Sequence, residues 1–167
     1  MYGAIVQQFS KMLGNLDGFL AKAEAYATER GFAVDNFLQA RLAPDMFSFV
    51  RQVQVATDVC KITAARVAGV TPPSFPDNET TFAELRARIA RTRAFVAELD
   101  LDSAAAQDGE RRVPAGFPPD KTMRLHDYVV MRQLANFHFH VGTAYNLLRA
   151  GGVPLGKADF LGNLPME

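Results

Sequence analysis

The chain has 167 residues, 49% of them hydrophobic and 22% charged, which fits one globular domain with a sizeable core over residues 1–167. Eighteen basic and eighteen acidic residues leave no net charge, so there is neither the basic footprint of a nucleic-acid binder nor an acidic tail. The single cysteine, Cys60, excludes an intrachain disulfide and a CxxC metal site. No apolar run reaches the roughly 18 residues of a membrane span, and the N-terminal stretch MYGAIVQQFSKMLG lacks the basic start and cleavage site of a signal peptide. The expected setting is the reducing cytosol, with no nucleic-acid or membrane partner.

Residues 3–30 read as a first helix, its stripe formed by Ile5, Phe9, Met12, Leu16, Phe19 and Ala23, with Gly31 as its stop. Gly14 and Gly18, at i and i+4, are its weak points and a place for another helix to come close. A short helical turn is expected over Val34 to Arg41. Ala43-Pro44-Asp45 is expected to open the second helix, since proline fits a first turn and aspartate suits the positive end of the dipole. Its stripe is Met46, Phe49, Val53, Ala56, Cys60, Thr63, Ala64 and Val67, ended by Gly69 and Pro72-Pro73. Cys60 sits among small apolar neighbours and reads as a buried hydrophobe. Gln52 lies about 60° from Phe49 on the helical wheel, inside the buried arc. A buried amide needs hydrogen-bond partners. Gln52 is therefore either bonded to a polar side chain of a neighbouring helix or part of an internal site. Arg51 and Gln54 point away from the stripe and are expected at solvent or an interface.

VTPPSFPDNE, at 70–79, is a proline-rich connection. Thr81 with Glu84 is a capping-box pattern for a third helix, whose stripe is Phe82, Leu85, Ile89, Thr92, Phe95, Val96 and Leu99. Arg86, Arg88, Arg91 and Arg93 are expected on a solvated, partly salt-bridged face, with a Glu84–Arg88 pair at i,i+4. Residues 100–125 lose the helical period. A short β-hairpin is expected from Arg111-Arg112-Val113 and Thr122-Met123-Arg124-Leu125, which flank the turn-rich AGFPPDK. His126 is accounted for by capping or exposure at the start of the fourth helix.

That helix is expected from about Asp127 to Arg149. FHFH alone alternates like a strand, but Phe137, Val141, Ala144, Tyr145 and Leu148 recur at helical steps, and Arg149 followed by Gly151-Gly152 is a C-terminal stop. His138 and His140 then stand about 160° apart and cannot share one ion within the helix. His140 faces inward, with Asn136 one turn before it, and is either a hydrogen-bonded core-edge histidine or a ligand or acid–base group. His138 lies at the edge of the stripe. The tail from Val153 is expected to be irregular and to fold back on Leu155, Phe160 and Leu161, either capping the bundle or carrying Lys157 into a pocket.

Four amphipathic helices with no sheet of consequence predict an all-α, up-down four-helix bundle. Bundle sites lie between facing helices, which singles out Gln52, Asn136 and His140. No Glu-x-x-His pair, phosphate loop, dinucleotide fingerprint or nucleophile elbow is present.

HVGTAYNLLRAG, at His140 to Gly151, resembles the fourth-helix motif of the DinB/YfiT-like four-helix-bundle superfamily. LAPDMFSFVRQVQVA at Leu42 to Ala56 and NFHFHVGTAYNLLRAGGVPLGKADFLG at Asn136 to Gly162 are similar to a mostly bacterial branch of it, of unknown function. The resemblance covers nearly the whole chain and implies a DinB-like bundle and a homodimer packed through helix faces. Metal-binding members of the superfamily hold a divalent ion, such as zinc or nickel, with one histidine on helix two and an i,i+4 pair on helix four. His140 matches the second of that pair, Asn136 falls where the first would be, and Gln52 or a close neighbour falls where the helix-two histidine would be. With two of three histidines replaced by amides, the resemblance implies a degenerate metal site. It points to a non-enzymatic or small-ligand-binding protein, the alternative being a weak metal-dependent enzyme with thiol-transferase- or isomerase-like chemistry centred on His140.

Overall fold

The computed structural model describes residues 1–164 and 166; Pro165 and Glu167, at the end of the expected single domain, lie outside the described residues. Four long helices dominate: α1 (Tyr2–Arg30), α2 (Phe49–Ala68), α3 (Phe82–Ala97) and, after a short α4 (Ala104–Gln107), α5 (Leu134–Ala150). α6 (Lys157–Leu161) closes the chain. α1 and α2 touch each other and each touches both α3 and α5, so α3 and α5 take opposite corners of a four-helix bundle.

The apolar stripes account for this packing. Phe9, Met12, Leu16, Phe19 and Ala23 of α1 are buried, as are Phe49, Val53, Ala56 and Val67 of α2 and Phe137, Val141, Ala144 and Leu148 of α5. Aromatic pairs join the elements: Phe9 stacks on Phe137 at 4.2 Å between ring centres, and Phe49 on Phe82 at 5.3 Å. Each such side chain taken from water contributes roughly 1.5–3 kcal/mol. α1 ends where Gly31 turns left-handed (φ 73°), and Gly69 does the same for α2 (φ 76°).

The expected capping box opens α3. Thr81 Oγ1 accepts from the Glu84 amide at 3.2 Å, and the Glu84 carboxylate accepts from the Thr81 amide at 3.1 Å. Asp35, in the short 3₁₀ turn Val34–Phe37, adds a third bond to this helix start by accepting from the Phe82 amide at 2.8 Å. The hairpin also forms, as β1 (Arg112–Pro114) antiparallel to β2 (Thr122–Arg124), with Val113 opposite Met123.

Several expectations need correction. α2 begins at Phe49, not at Ala43-Pro44-Asp45. Its leading amides find acceptors in the preceding turn, Phe49 N–H donating to Ala40 O (2.9 Å) and Val50 N–H to Leu38 O (3.1 Å), so the proline lies in a loop that crosses the helix start. Residues 127–133 are π-helical, with α5 following. The wider turn brings residues five apart together, and Gln133 Nε2 donates to the Tyr128 hydroxyl. The tail forms α6, which docks on α1 rather than staying irregular. Lys22 pairs with Asp159 (2.7 Å), and the Asn15 amide donates to Phe160 O (2.9 Å). Leu155 is buried as expected, but Leu161 is exposed and only its carbonyl is used, by Lys11 at 3.0 Å. Lys157 is exposed, so the tail packs against the bundle's side without sending a cation into it.

The largest departure is Arg88. Its side chain is fully buried, not solvated, and it does not pair with Glu84. Nε donates to Thr57 Oγ1 at 2.7 Å, Nη1 to Pro76 O at 2.9 Å and to Glu79 at 3.0 Å, and Nη2 to Asp58 and Asp77, each at 2.9 Å. The proline-rich 70–79 connection is thereby strapped across α2 and α3. Gln54, expected at solvent or an interface, is buried within the chain and donates to Glu79 at 2.9 Å.

Candidate functional site

His140 and Gln52 face each other across the contact between α5 and α2. Their helical phases require this, since each lies beside the apolar stripe of its own helix. Nδ1 of His140 lies 2.7 Å from Gln52 Oε1, while Gln52 Nε2 donates to the Phe47 carbonyl at 3.1 Å. The second bond sets the first. A carbonyl only accepts, so the NH₂ end of the Gln52 amide must face Phe47 and the oxygen must face the imidazole. Nδ1 therefore carries the proton, and in the neutral ring Nε2 keeps a lone pair. Among the described residues no side chain or carbonyl bonds to that nitrogen.

The ring is 6% exposed. Phe47 lies nearly parallel to it, at 6.4 Å between centres and 17° between planes, and the Phe139 ring meets it edge-on at 5.2 Å. Burial holds the imidazole pKa down to about 4, with the nearby Arg51 charge adding to the effect, so His140 is neutral at pH 7. Such a group is a poor proton acceptor from weak acids and a good hydrogen-bond acceptor.

Asn136 does not join the pair. Its amide donates to Gln133 Oε1 at 3.3 Å, and Gln133 in turn bonds Tyr128. The i,i+4 spacing puts Asn136 on the flank of His140, but it takes Gln133, three residues before it, as its partner. His138 Nδ1 donates to Leu134 O at 2.8 Å, and its ring packs edge-on against Phe9 and Phe137. His126 is 3.2 Å from the Tyr2 hydroxyl at the start of the fourth-helix region. Cys60 is fully buried and its thiol is pushed up to about 12, chiefly by burial, which makes it inert.

Zinc and nickel sites are built from imidazole, thiolate and carboxylate donors. Here one imidazole stands with two amides, and both amides are engaged elsewhere. Among the described residues no three His, Cys, Asp or Glu side chains gather where they could hold a metal. The donor set does not fit a structural or catalytic ion of that kind.

Sequence reasoning missed Phe47, Arg51 and Asp77 as neighbours of this site. The Arg51 guanidinium lies over the Phe47 ring, 5.8 Å from its centre, and bonds to Asp77 and to Gln54 Oε1, the latter at 3.3 Å. Arg88, which fixes Asp77, shares a helical flank with Leu85 and Thr92 at three and four residues' distance. That was the available signal for its burial.

The fold is that of a DinB-like helical bundle. Over 99% of its length the chain superposes on the crystal structure of a DinB family member from Shewanella denitrificans, covering 94% of that chain at 37% identity and a TM-score of 0.92. Residues 1–161 match the model of the domain of unknown function DUF1993, and the chain belongs to that family. Comparison with curated proteins finds no match. No helix among the described residues is long and apolar enough to cross a membrane.

Proposed function

We propose that this protein is a non-enzymatic, small-molecule-binding bundle whose site is a degenerate form of the superfamily's metal site, and that it works as a homodimer. The observation that carries this reading is the locked tautomer of His140. Nδ1 is spent on Gln52, and Nε2 is left as an acceptor on a ring that has Phe47 and Phe139 as neighbours. The chemistry fits a neutral, flat ligand that donates one N–H or O–H to Nε2 and lays an apolar face on the phenyl rings.

Dimerisation draws support from the outward face of α5. Met131, just before the helix, is exposed, as are Ala135, Phe139 and Asn146, none of them charged, and the exposed Arg149 is the one charge at the end of this stripe. A second copy can meet such a face without setting like charges against each other.

A fragment screen read by the His140 ring resonances, with His140→Phe as control, tests the ligand reading; expected hits perturb Nε2 and are lost in the variant. Elemental analysis of untagged protein beside His140→Ala tests the alternative, a weak metal-dependent enzyme. A near-stoichiometric ion lost in the variant would overturn the non-metal reading. Sedimentation measures the dimer.

A further inference from the structure

His140 is only 6% exposed, so a molecule larger than water needs a wider opening to lie against Nε2. The group beside it that can move is Phe47, whose ring lies nearly parallel to the imidazole at 6.4 Å between centres and is itself half exposed. Phe47 belongs to the loop that crosses the start of α2, not to a helix, and its side chain can swing without disturbing the core. What restrains it is Arg51, one turn into α2. The guanidinium sits over the Phe47 ring and is bonded on its far side to Asp77 and Gln54.

Asp77 and Glu79 are both fixed by Arg88, and Gln54 donates to Glu79. The buried cation therefore anchors the 70–79 strap, the strap holds Arg51, and Arg51 lies over Phe47. The two ion pairs differ in exposure. The Arg88 side chain is fully buried, while those of Arg51 and Asp77 are 38% and 35% exposed. The Arg51–Asp77 pair is thus the link that salt screens and thermal motion opens first.

We propose that Phe47 is a lid over His140 and that the Arg51–Asp77 ion pair is its latch. The proposal rests on the reading of His140 as the ligand point, because a lid matters only where something enters.

Access to Nε2 can be measured without any ligand. Diethyl pyrocarbonate adds an ethoxycarbonyl group to an unprotonated imidazole nitrogen, and mass spectrometry of fragments separates His140 from His138, with His126 as an internal reference. At neutral pH, Phe47→Ala is expected to raise the His140 modification rate by more than about tenfold, as local opening replaces a covered site. Arg51→Met and Asp77→Asn are expected to raise it about two- to fivefold, the range an exposed ion pair supports. Arg51→Met leaves the Arg88 cluster intact and so separates the latch from the strap. Salt near 1 M, where the Debye length is about 3 Å, is expected to speed the native chain and not Arg51→Met. An unchanged rate in Phe47→Ala overturns the lid, and unchanged rates in both latch variants overturn the latch. Equal acceleration at His126 would mean general unfolding and would overturn both. If these rates respond while no small molecule binds, the ligand reading fails and the lid stands. If a ligand binds while the rates stay flat, the lid fails and the ligand reading stands.

Discussion

Nδ1 of His140 and Oε1 of Gln52 lie 2.7 Å apart, joining α5 to α2 through the one hydrogen bond that fixes which imidazole nitrogen is free. Each partner is buried, so each depends on the other. Replacing Gln52 by Leu strands the Nδ1 proton and also releases the Phe47 carbonyl. The expected loss is about 1–3 kcal/mol in urea unfolding, the cost of an unpaired buried polar group. Gln52→Leu combined with His140→Leu should lose less than the sum of the two single changes by about 1 kcal/mol or more, because the shared bond is counted only once. Strict additivity would mean that the pair is not coupled.

The same burial makes stability pH-dependent. His140 has its pKa held at about 4 in the folded chain against an ordinary 6.5, so between these values the unfolded chain binds the extra proton. Stability contributed by this group is therefore present above about 6.5 and lost as pH falls towards 4. The size is on the order of 3 kcal/mol. A proton NMR titration should place the His140 midpoint well below those of exposed histidines, and His140→Phe should flatten the stability slope over this window. A midpoint near 6.5 would contradict the burial argument.

Arg88 makes a harsher test. Its guanidinium is shared among Asp58, Asp77, Glu79, Thr57 and the Pro76 carbonyl. Arg88→Met removes the cation and leaves the carboxylates gathered without it, which should cost about 3–5 kcal/mol. Arg88→Lys keeps the charge but not the planar fork that reaches all these acceptors, and should recover only part of the loss. Hydrogen exchange should show the 70–79 backbone opening first in both variants. Protection unchanged in that segment would mean the strap is held by something else.

These outcomes mark how far the sequence could be read. Helix number, the starts of α1 and α3, the Thr81–Glu84 box and the inward aim of Gln52 and His140 all followed from period and capping, which are local. The start of α2 did not, because its amides bond to Leu38 and Ala40 of a preceding turn whose path no local rule supplied. Arg88 was misplaced for a related reason. An arginine on an apolar flank is read as solvated unless its acceptors are known, and these arrive from a proline-rich stretch with no periodicity. Asn136 was grouped with His140 at i,i+4, yet its amide bonds to Gln133 at i−3, an equally near neighbour on a helix that the sequence reading did not weigh.

Gly142 sits in the middle of α5, where a glycine costs about 1 kcal/mol against alanine, and nothing lies within 4 Å of where its Cβ would be. Within one copy the position gains nothing from being glycine. It does lie on the outward face whose only exposed charge is Arg149 near the helix end, three residues after the exposed Phe139, so an antiparallel second copy could set its Phe139 ring into the gap. Gly142→Ala should therefore raise the stability of the isolated protomer by up to about 1 kcal/mol while weakening the proposed dimer. Gly142→Glu should abolish that dimer by placing two like charges near the two-fold axis. Sedimentation over a concentration series, run beside urea unfolding, reads both effects. Dimers that persist in Gly142→Glu would exclude this face as the interface.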